Sequence, residues 1–410
     1  MIVVVGGGAA GLMAAIAAAQ GTREVLVVER TGDGGRKILI SGGGRCNVLP
    51  SQFALERFVT DSAPHLMRGM LRSWPLAGQR AFFEDDLHLP LALEEDTGKL
   101  FPVSNRARDV RDSLVDRARA LNVTFEFNTS LTALEPGDTG WVVHTTHGPR
   151  PASRVVLATG GLSVPATGSD GTGLELAASL GHRVNAVYPA LTPLTATPAV
   201  HASLAGVSLD VRVRARAGQK ITDSTGGFLF THRGYSGPSI LDISHVAARD
   251  RDAVIRVQWA ADAAEWEQLF AGSGAPLDDR SGRPEPGRRA LVSNVLATRV
   301  PQRLAFQLMD EAGVPLDRRA GELRRTERVG LIDQLTSYRL PWTGDEGFKK
   351  AEVTGGGVAL EEVDPRTLES RRHRGLFLCG EMLDAFGPIG GHNFAWAWAT
   401  GRLAGLGASR

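Results

Sequence analysis

An apolar run that breaks into glycine, VVVGGGAAG at residues 3–11, constrains the fold of this chain more than any other stretch. Ile2 to Val5 predict a short buried strand, and the Ala-rich run Leu12 to Gln20 predicts a helix directly behind the glycines. Residues 24–29, EVLVVE, predict the next strand. Strand, glycine turn, helix and strand within about thirty residues make the βαβ unit of a doubly wound, Rossmann-like sheet. Gly6, Gly8 and Gly11 stand in G-x-G-x-x-G register across the turn. The first allows the tight turn, the second lets backbone approach a diphosphate, and the third lets helix and strand pack closely. Phosphate oxygens then meet the free N–H groups and positive dipole end of the helix, beside Ala9 and Ala10. Glu29, followed by Arg30, ends the second strand, where an acid accepts from ribose hydroxyls.

This fingerprint serves NAD and FAD alike, and the remaining glycine clusters decide between them. Gly accounts for 49 of 410 residues, well above the usual roughly 7%, and the excess is clustered. Clustered glycine places backbone against a ligand. SGGGRCN runs from Ser41 through Gly42, Gly43, Gly44, Arg45 and Cys46 to Asn47, and Ala158, Thr159, Gly160 and Gly161 follow the strand RVVLAT at 154–159. A third cluster lies near the C-terminus, where Gly380, Glu381 and Asp384 follow a strand and Gly390-Gly391-His392-Asn393-Phe394 opens a helix. Asp384 is placed to bond a ribityl chain, and the amides of Gly391 to Phe394 to face a flavin pyrimidine edge. Three clusters in this order suit elongated FAD, which NAD has no need of.

The texture changes along the chain predict the domain plan. Residues 106–120 read as an amphipathic helix, and 123–128 and 141–145 as strands. From about Leu191 short alternating strands take over, as in VSLDVRVRAR at 207–216 and GGFLFTH at 226–232. Residues 272–288 are polar and turn-rich, and 289–337 show helical spacing broken at Pro301 and Pro315. The strand and glycine pattern returns around Ala351. The texture therefore predicts a β-rich domain from about residue 191, a helical insertion after it, and a return to the first pattern near 351.

GRKILISGGGRCN (35–47), GKLFPVSNRARDV (98–110), GGFLFTHRGYSGPSILDIS (226–244), EVTGGGV (352–358) and CGEMLDAFGPIGGHNFAWAWATG (379–401) resemble the aminoacetone-oxidase-like, BaiN-like family of FAD-dependent oxidoreductases. The resemblance spans nearly the whole chain and implies an α/β domain at 1–190 and 358–410 that holds FAD non-covalently, interrupted by a β-rich, barrel-like domain at 191–250 and 338–357 with a helical insertion at 251–337. It adds Arg36 and Lys37 to the cofactor-binding set, and it implies amine-type oxidation or enone reduction. Phe386, Pro388 and His392 depart from the residues typical of relatives, so substrate identity does not transfer.

Protein groups for catalysis are few. His232 and Tyr235, in LFTHRGYSGP, are candidates for proton transfer, with a structural role in the turn as the competing reading. Cys46 and Cys379 read as packing residues, and Trp396 and Trp398 as helix packing. No second strand-embedded fingerprint holds NAD(P)H, so a nicotinamide would visit the flavin transiently as reductant. Lys plus Arg (46) balances Asp plus Glu (45), which favours a small-molecule partner over nucleic acid or membrane. Two cysteines and an uncharged but Gly-interrupted N-terminus predict a soluble protein of the reducing cytoplasm, with no metal site. The rival class is a flavin-bearing RNA-modifying or regulatory binding protein, which requires a basic stripe. The arginines of residues 288–307 are interleaved with apolar residues and read as an amphipathic helix face.

Overall fold

The computed structural model describes residues 1–21, 23–137, 140–271 and 288–410. Most of the turn-rich span 272–288 lies outside the described residues. The chain forms two compact units, Met1–Pro189 with Phe348–Arg410, and Ala190–Gly347.

In the first unit a five-stranded parallel sheet runs in the order Leu376–Leu378, Arg154–Leu157, Ile2–Val5, Val25–Val28, Thr124–Glu126. Every residue of Ile2–Val5 and Val25–Val28 is buried, as parallel strands with both faces covered require. Helix Ala9–Ala18 is apolar all round and buried at nine of its positions. It lies against the final helix, His392–Ser409, at van der Waals distance. Gly401 and Gly405 make that possible, because a Cβ on either would stand 2.3 Å from the carbonyl oxygens of Ala10 and Ala14 respectively. Helix Ala107–Ala120 buries Val110, Leu114 and Ala118, the stripe its spacing predicts. Two small antiparallel sheets, Leu131–Gly137 with Gly140–Thr145 and Gly148–Ala152, and Leu49–Pro50 with Lys99–Pro102 and Leu91–Glu94, complete the unit with the strand pair Val184–Ala190 and Val353–Val358.

The second unit is built on a seven-stranded antiparallel sheet, in the order Tyr338–Arg339, Val254–Gln258, Ser208–Ala217, Lys220–Phe230, Gly234–Ser236, Leu194–Thr195, Gly344–Asp345. One face is apolar: Val211, Val213, Ala215, Ile255 and Val257 are buried and share a core with Ile240 and Ile243 of helix Pro238–Arg249. Helices Ala263–Ala271, Val292–Leu296, Gln302–Glu311 and Arg325–Thr336 add to that core. Val254–Gln258 falls within the span expected to be helical. Its alternation VIRVQ, with Ile255 and Val257 buried and Arg256 exposed, pairs it with Ser208–Ala217 instead.

Candidate functional site

The glycine turn does what its register predicts. Gly6 has φ +102°, and a Cβ there would stand 2.5 Å from Ala158 O. Gly11 would place a Cβ 1.8 Å from Gly6 O, so a side chain there is excluded. Above Gly8 there is open space. That space belongs to a cavity of about 580 Å³ in the first unit, within the 300–1,000 Å³ range of cofactor sites.

Most of the expected residues line this cavity: Gly6, Gly8, Ala9, Ala10, Glu29, Arg30, Arg36, Lys37, Ser41, Gly42, Gly43, Arg45, Asn47, Ala158, Thr159, Gly160, Glu381, Gly390, Gly391, Asn393 and Phe394. Three fingerprints far apart in sequence thus face one space, because the parallel sheet brings the C-terminal ends of Ile2–Val5, Arg154–Leu157 and Leu376–Leu378 side by side. Gly42 and Gly43 are left-handed (φ 55° and 67°), and no atom lies within 4 Å of a Cβ on Gly43 or Gly44. Thr159 Oγ1 is buried without a partner among the described residues. Open glycines and two helix N-termini fit the diphosphate and polar edges of FAD.

Several expectations need correction. Glu29 is buried, and its Oε2 accepts from Gly7 N at 2.6 Å while Oε1 accepts from Thr31 N and Oγ1 at 2.8 and 2.6 Å. It therefore braces the glycine loop as well as lining the cavity. Asp384 does not line the cavity. It is buried and its Oδ2 accepts from Ser62 Oγ (2.8 Å), Asn185 Nδ2 (2.8 Å) and Asp61 N (3.0 Å). Desolvation lifts its carboxyl above the usual range, with these donors, Ser62 first, pulling against it. Cys46 is buried, with its thiol pushed up to about 12 by burial, and Gly44 is outside the lining. Gly161 and Gly380 allow packing instead of cofactor approach: Cβ atoms there would meet Thr354 Oγ1 at 2.3 Å and Ala10 Cβ at 2.7 Å. The Gly391 amide, expected at the flavin, is taken by Asn47 Oδ1 at 3.0 Å. The side chain of His392 is buried, edge-on to Phe58 at 5.8 Å, and outside the lining. Asn393 bonds Gly387 N and O at 2.9 and 3.0 Å, which fixes the loop before the helix.

In the second unit Tyr235 is fully buried and its hydroxyl bonds His201 Nδ1 (2.9 Å) and Pro341 O (3.2 Å); burial raises its pKa. A phenol so enclosed has no access to substrate, so it is a core residue. His232 is exposed between Lys220–Phe230 and Gly234–Ser236.

Lys99, Phe101, Asp170, Thr31, Phe386 and Trp396 also line the cavity and were not foreseen as site residues. The motif GKLFP pointed at the first two, but nothing in a single chain says that the edge strand Lys99–Pro102 comes alongside Leu49–Pro50. No tyrosine, histidine or cysteine side chain lines the cavity among the described residues, and none of them cluster as a metal site.

This doubly wound sheet with its glycine-lined cavity defines a flavoprotein that binds FAD and carries out oxidoreduction. The chain belongs to the HI0933-like family, whose Rossmann-domain model matches residues 1–407. It is 33% identical over 413 residues to the 3-dehydro-bile acid delta(4,6)-reductase of Clostridium scindens, covering 99% of this chain and 98% of the relative. It is 31% identical over 402 residues to the ribosomal RNA dihydrouridine synthase of Escherichia coli, covering 97% and 95%. Among solved structures, the 3-ketosteroid delta1-dehydrogenase of Sterolibacterium denitrificans shares the fold, with TM-score 0.51 and 14% identity over 100% of this chain and 99% of that one. The 3-ketosteroid-delta4-(5alpha)-dehydrogenase of Rhodococcus jostii does so at TM-score 0.50 and 18% identity, covering 100% and 96%. Among the described residues no helix is long and apolar enough to cross a membrane.

Proposed function

We propose that this FAD-dependent oxidoreductase works as a reductase that saturates a carbon–carbon double bond conjugated to a carbonyl, with FAD held non-covalently and recharged by NADH or NADPH. The observation that carries the reading is the pair of full-length relatives: a delta(4,6)-reductase acting on a 3-dehydro compound and a synthase of dihydrouridine both saturate such a bond. Enone reduction therefore takes precedence over amine oxidation. The bound flavin supplies the hydride chemistry, and the protein supplies binding, orientation and electrostatics. The cavity wall agrees with that division of labour, since among the described residues it offers backbone, hydroxyls and charges but no thiol, phenol or imidazole. In this reading Gly6 to Ala10 take the diphosphate, Glu29 and Arg30 the adenosine ribose, and the amides of His392 to Phe394 the flavin edge. His232 remains a candidate proton-transfer residue.

The test is anaerobic reduction of the holoenzyme by NADH and by NADPH, then reoxidation by 4-androstene-3,17-dione or by air. Fast reduction followed by enone-dependent reoxidation supports a reductase. Failure of both nicotinamides with rapid reoxidation by air overturns it in favour of an oxidase.

One observation favours a second reading, in which the reducible ring is carried on RNA. On the solvent face of the second unit's sheet Arg339, Arg256 and Arg214 stand directly opposite one another across three strands, flanked along Ser208–Ala217 by Arg212 and Arg216. Arg212 and Arg214 share Asp223, while Arg216, Arg256 and Arg339 have no carboxylate partner among the described residues. Like charges directly opposite destabilise a sheet, and exposed guanidinium groups suit phosphates. This row of arginines on the β-sheet, outside residues 288–307, is what supports the second reading. Binding of an RNA hairpin that weakens with salt, and weakens further in Arg256→Gln/Arg339→Gln, supports this reading. Salt-independent or absent binding removes it.

A further inference from the structure

The cavity has two ends, and the sheet order tells them apart. Glu29 to Thr31 and Thr129 to Leu131 line the end that follows Val25–Val28 and Thr124–Glu126, on one side of the central strand Ile2–Val5. Leu376–Leu378, which leads toward the final helix, lies on the other side. The final helix, His392–Ser409, runs parallel to Ala9–Ala18, because Gly401 packs on Ala10 O and Gly405 on Ala14 O. His392 stands nine residues before Gly401, so at 1.5 Å per residue the final helix begins about 13 Å beyond Ala10. With the diphosphate at Gly6 to Ala10 and the adenosine on the Glu29 side, that offset leaves room for a ribityl chain and brings the flavin ring to the start of the final helix.

Lys99 stands at this far end. A Cβ on Gly391 would lie 2.6 Å from Leu49 C and 2.9 Å from Pro50 N, which seats the helix start on Leu49–Pro50, and Pro50 pairs with Lys99 on the next strand. A Cβ on Gly390 would lie 3.7 Å from Lys99 Cε. Lys99 and Phe101 share one face of their strand, and both line the cavity. The other cations on the wall are committed. Arg30 pairs with Asp170, Arg36 with Asp33 and Arg45 with Glu94, and the Arg45 guanidinium lies 3.9 Å from the centroid of the Phe101 ring. Lys37 Nζ donates to Glu381 Oε2 and Ser163 Oγ at 2.6 Å each, and Glu381 Oε1 accepts from Thr354 N at 3.0 Å. Lys37 also belongs to the diphosphate end, since Gly35 N donates to Gly7 O at 2.8 Å. Glu94 lies directly opposite Lys99, but bonds from Thr97 and Arg45 are what chiefly hold its carboxyl below the usual range, with the charge of Lys99 a lesser cause. Among the described residues no hydrogen bond or ion pair takes up the Lys99 ammonium.

We propose that Lys99 raises the reduction potential of the bound flavin by presenting its unpaired ammonium to the pyrimidine edge of the ring, beside the amides that open the final helix. The proposal rests on FAD filling this cavity and is independent of the substrate. Reduction adds electron density to the ring, so a cation held at that edge favours the reduced state and its anionic form, in the same direction as the helix N-terminus.

The experiment is spectroelectrochemical titration of the holoenzyme with mediator dyes, without substrate, alongside FAD affinity by fluorescence and a pH titration of the reduced-flavin absorbance. Lys99→Met keeps the aliphatic stem and removes the charge. It lowers the reduced-to-oxidised ratio at a fixed potential about tenfold, which is about 30 mV for a two-electron couple, and moves the reduced-flavin titration to higher pH. Lys99→Arg keeps both near wild type, and Lys37→Met weakens FAD binding without moving the potential. An unmoved potential in a Lys99→Met protein that still binds FAD overturns the proposal and leaves the FAD assignment standing. A potential that follows Lys37→Met in place of Lys99→Met overturns it as well. Should Lys99→Met yield no holoprotein, Lys99→Gln decides on the same terms.

Discussion

At the scale of single residues, Glu29 has a structural duty that its place in the sequence does not show. Glu29 was legible as a ribose acceptor from its place after the second strand, but its bonds to Gly7 and Thr31 make it a brace for the loop it faces. Glu29→Ala removes an acceptor and leaves a buried N–H unpaired, at a cost of about 1–3 kcal/mol. The apoprotein therefore loses stability, seen as a lower denaturation midpoint, and FAD affinity falls on the order of ten- to a hundredfold. An apoprotein as stable as wild type would show that the brace does not matter. Burial and the charge of Arg57 hold His392 down to about 4, and burial holds His245 down to about 4. In the unfolded chain imidazole titrates near 6.5, so below that pH the unfolded state binds protons first. Stability is full above about pH 6.5 and declines toward pH 4, by on the order of 3 kcal/mol for each histidine. Urea unfolding at pH 7.5 and 5 measures the slope, and His392→Gln should flatten part of it.

At the scale of elements, the final helix shows why a motif's residues were easier to identify than their orientation. Gly390 and Gly391 precede it with φ +114° and +90°. A Cβ on Gly391 would stand 2.6 Å from Leu49 C, so this glycine is required by packing as well as by conformation. The Gly391 amide belongs to Asn47, leaving those of His392, Asn393 and Phe394 as unpaired first-turn donors. A helix N-terminus stabilises nearby negative charge by about 0.3–1 kcal/mol, and up to about 2 when partly buried. The reduced flavin is therefore expected to be the anionic hydroquinone at neutral pH, read by pH titration of its absorbance. A neutral form persisting well above pH 7 would show that this helix does not end at the flavin. Gly391→Ala is expected to lose FAD and stability together, because it strains the turn and collides with backbone at once.

At the scale of the whole molecule, the described residues form two hydrophobic cores, one in each unit: one built on the parallel sheet and one on the antiparallel sheet. Only the first surrounds the FAD cavity. Calorimetry of the apoprotein is expected to show two transitions, and FAD at about a hundred times its dissociation constant to add about 2.7 kcal/mol to one of them. A single transition that FAD shifts as a whole would mean that the two cores unfold as one.

What the chain's residues determined by themselves was local and periodic. A strand–glycine–helix register, a buried apolar run and a φ > 0 requirement are set within a dozen residues by sterics and hydrogen bonding. For that reason the parallel-sheet fold and most cavity-lining glycines were legible in the sequence alone, while FAD took three glycine clusters spread along the chain. The tertiary structure decided which of several eligible polar groups faces the cavity. Asp384 and Glu381 lie three residues apart in one motif, yet one is enclosed by Ser62, Asp61 and Asn185 while the other meets Lys37 on the wall. Partners such as Ser163 and Thr354 carry no local signature. A hydrogen bond across more than a hundred residues depends on where the sheet delivers both ends of the chain, and that is a property of the packed fold.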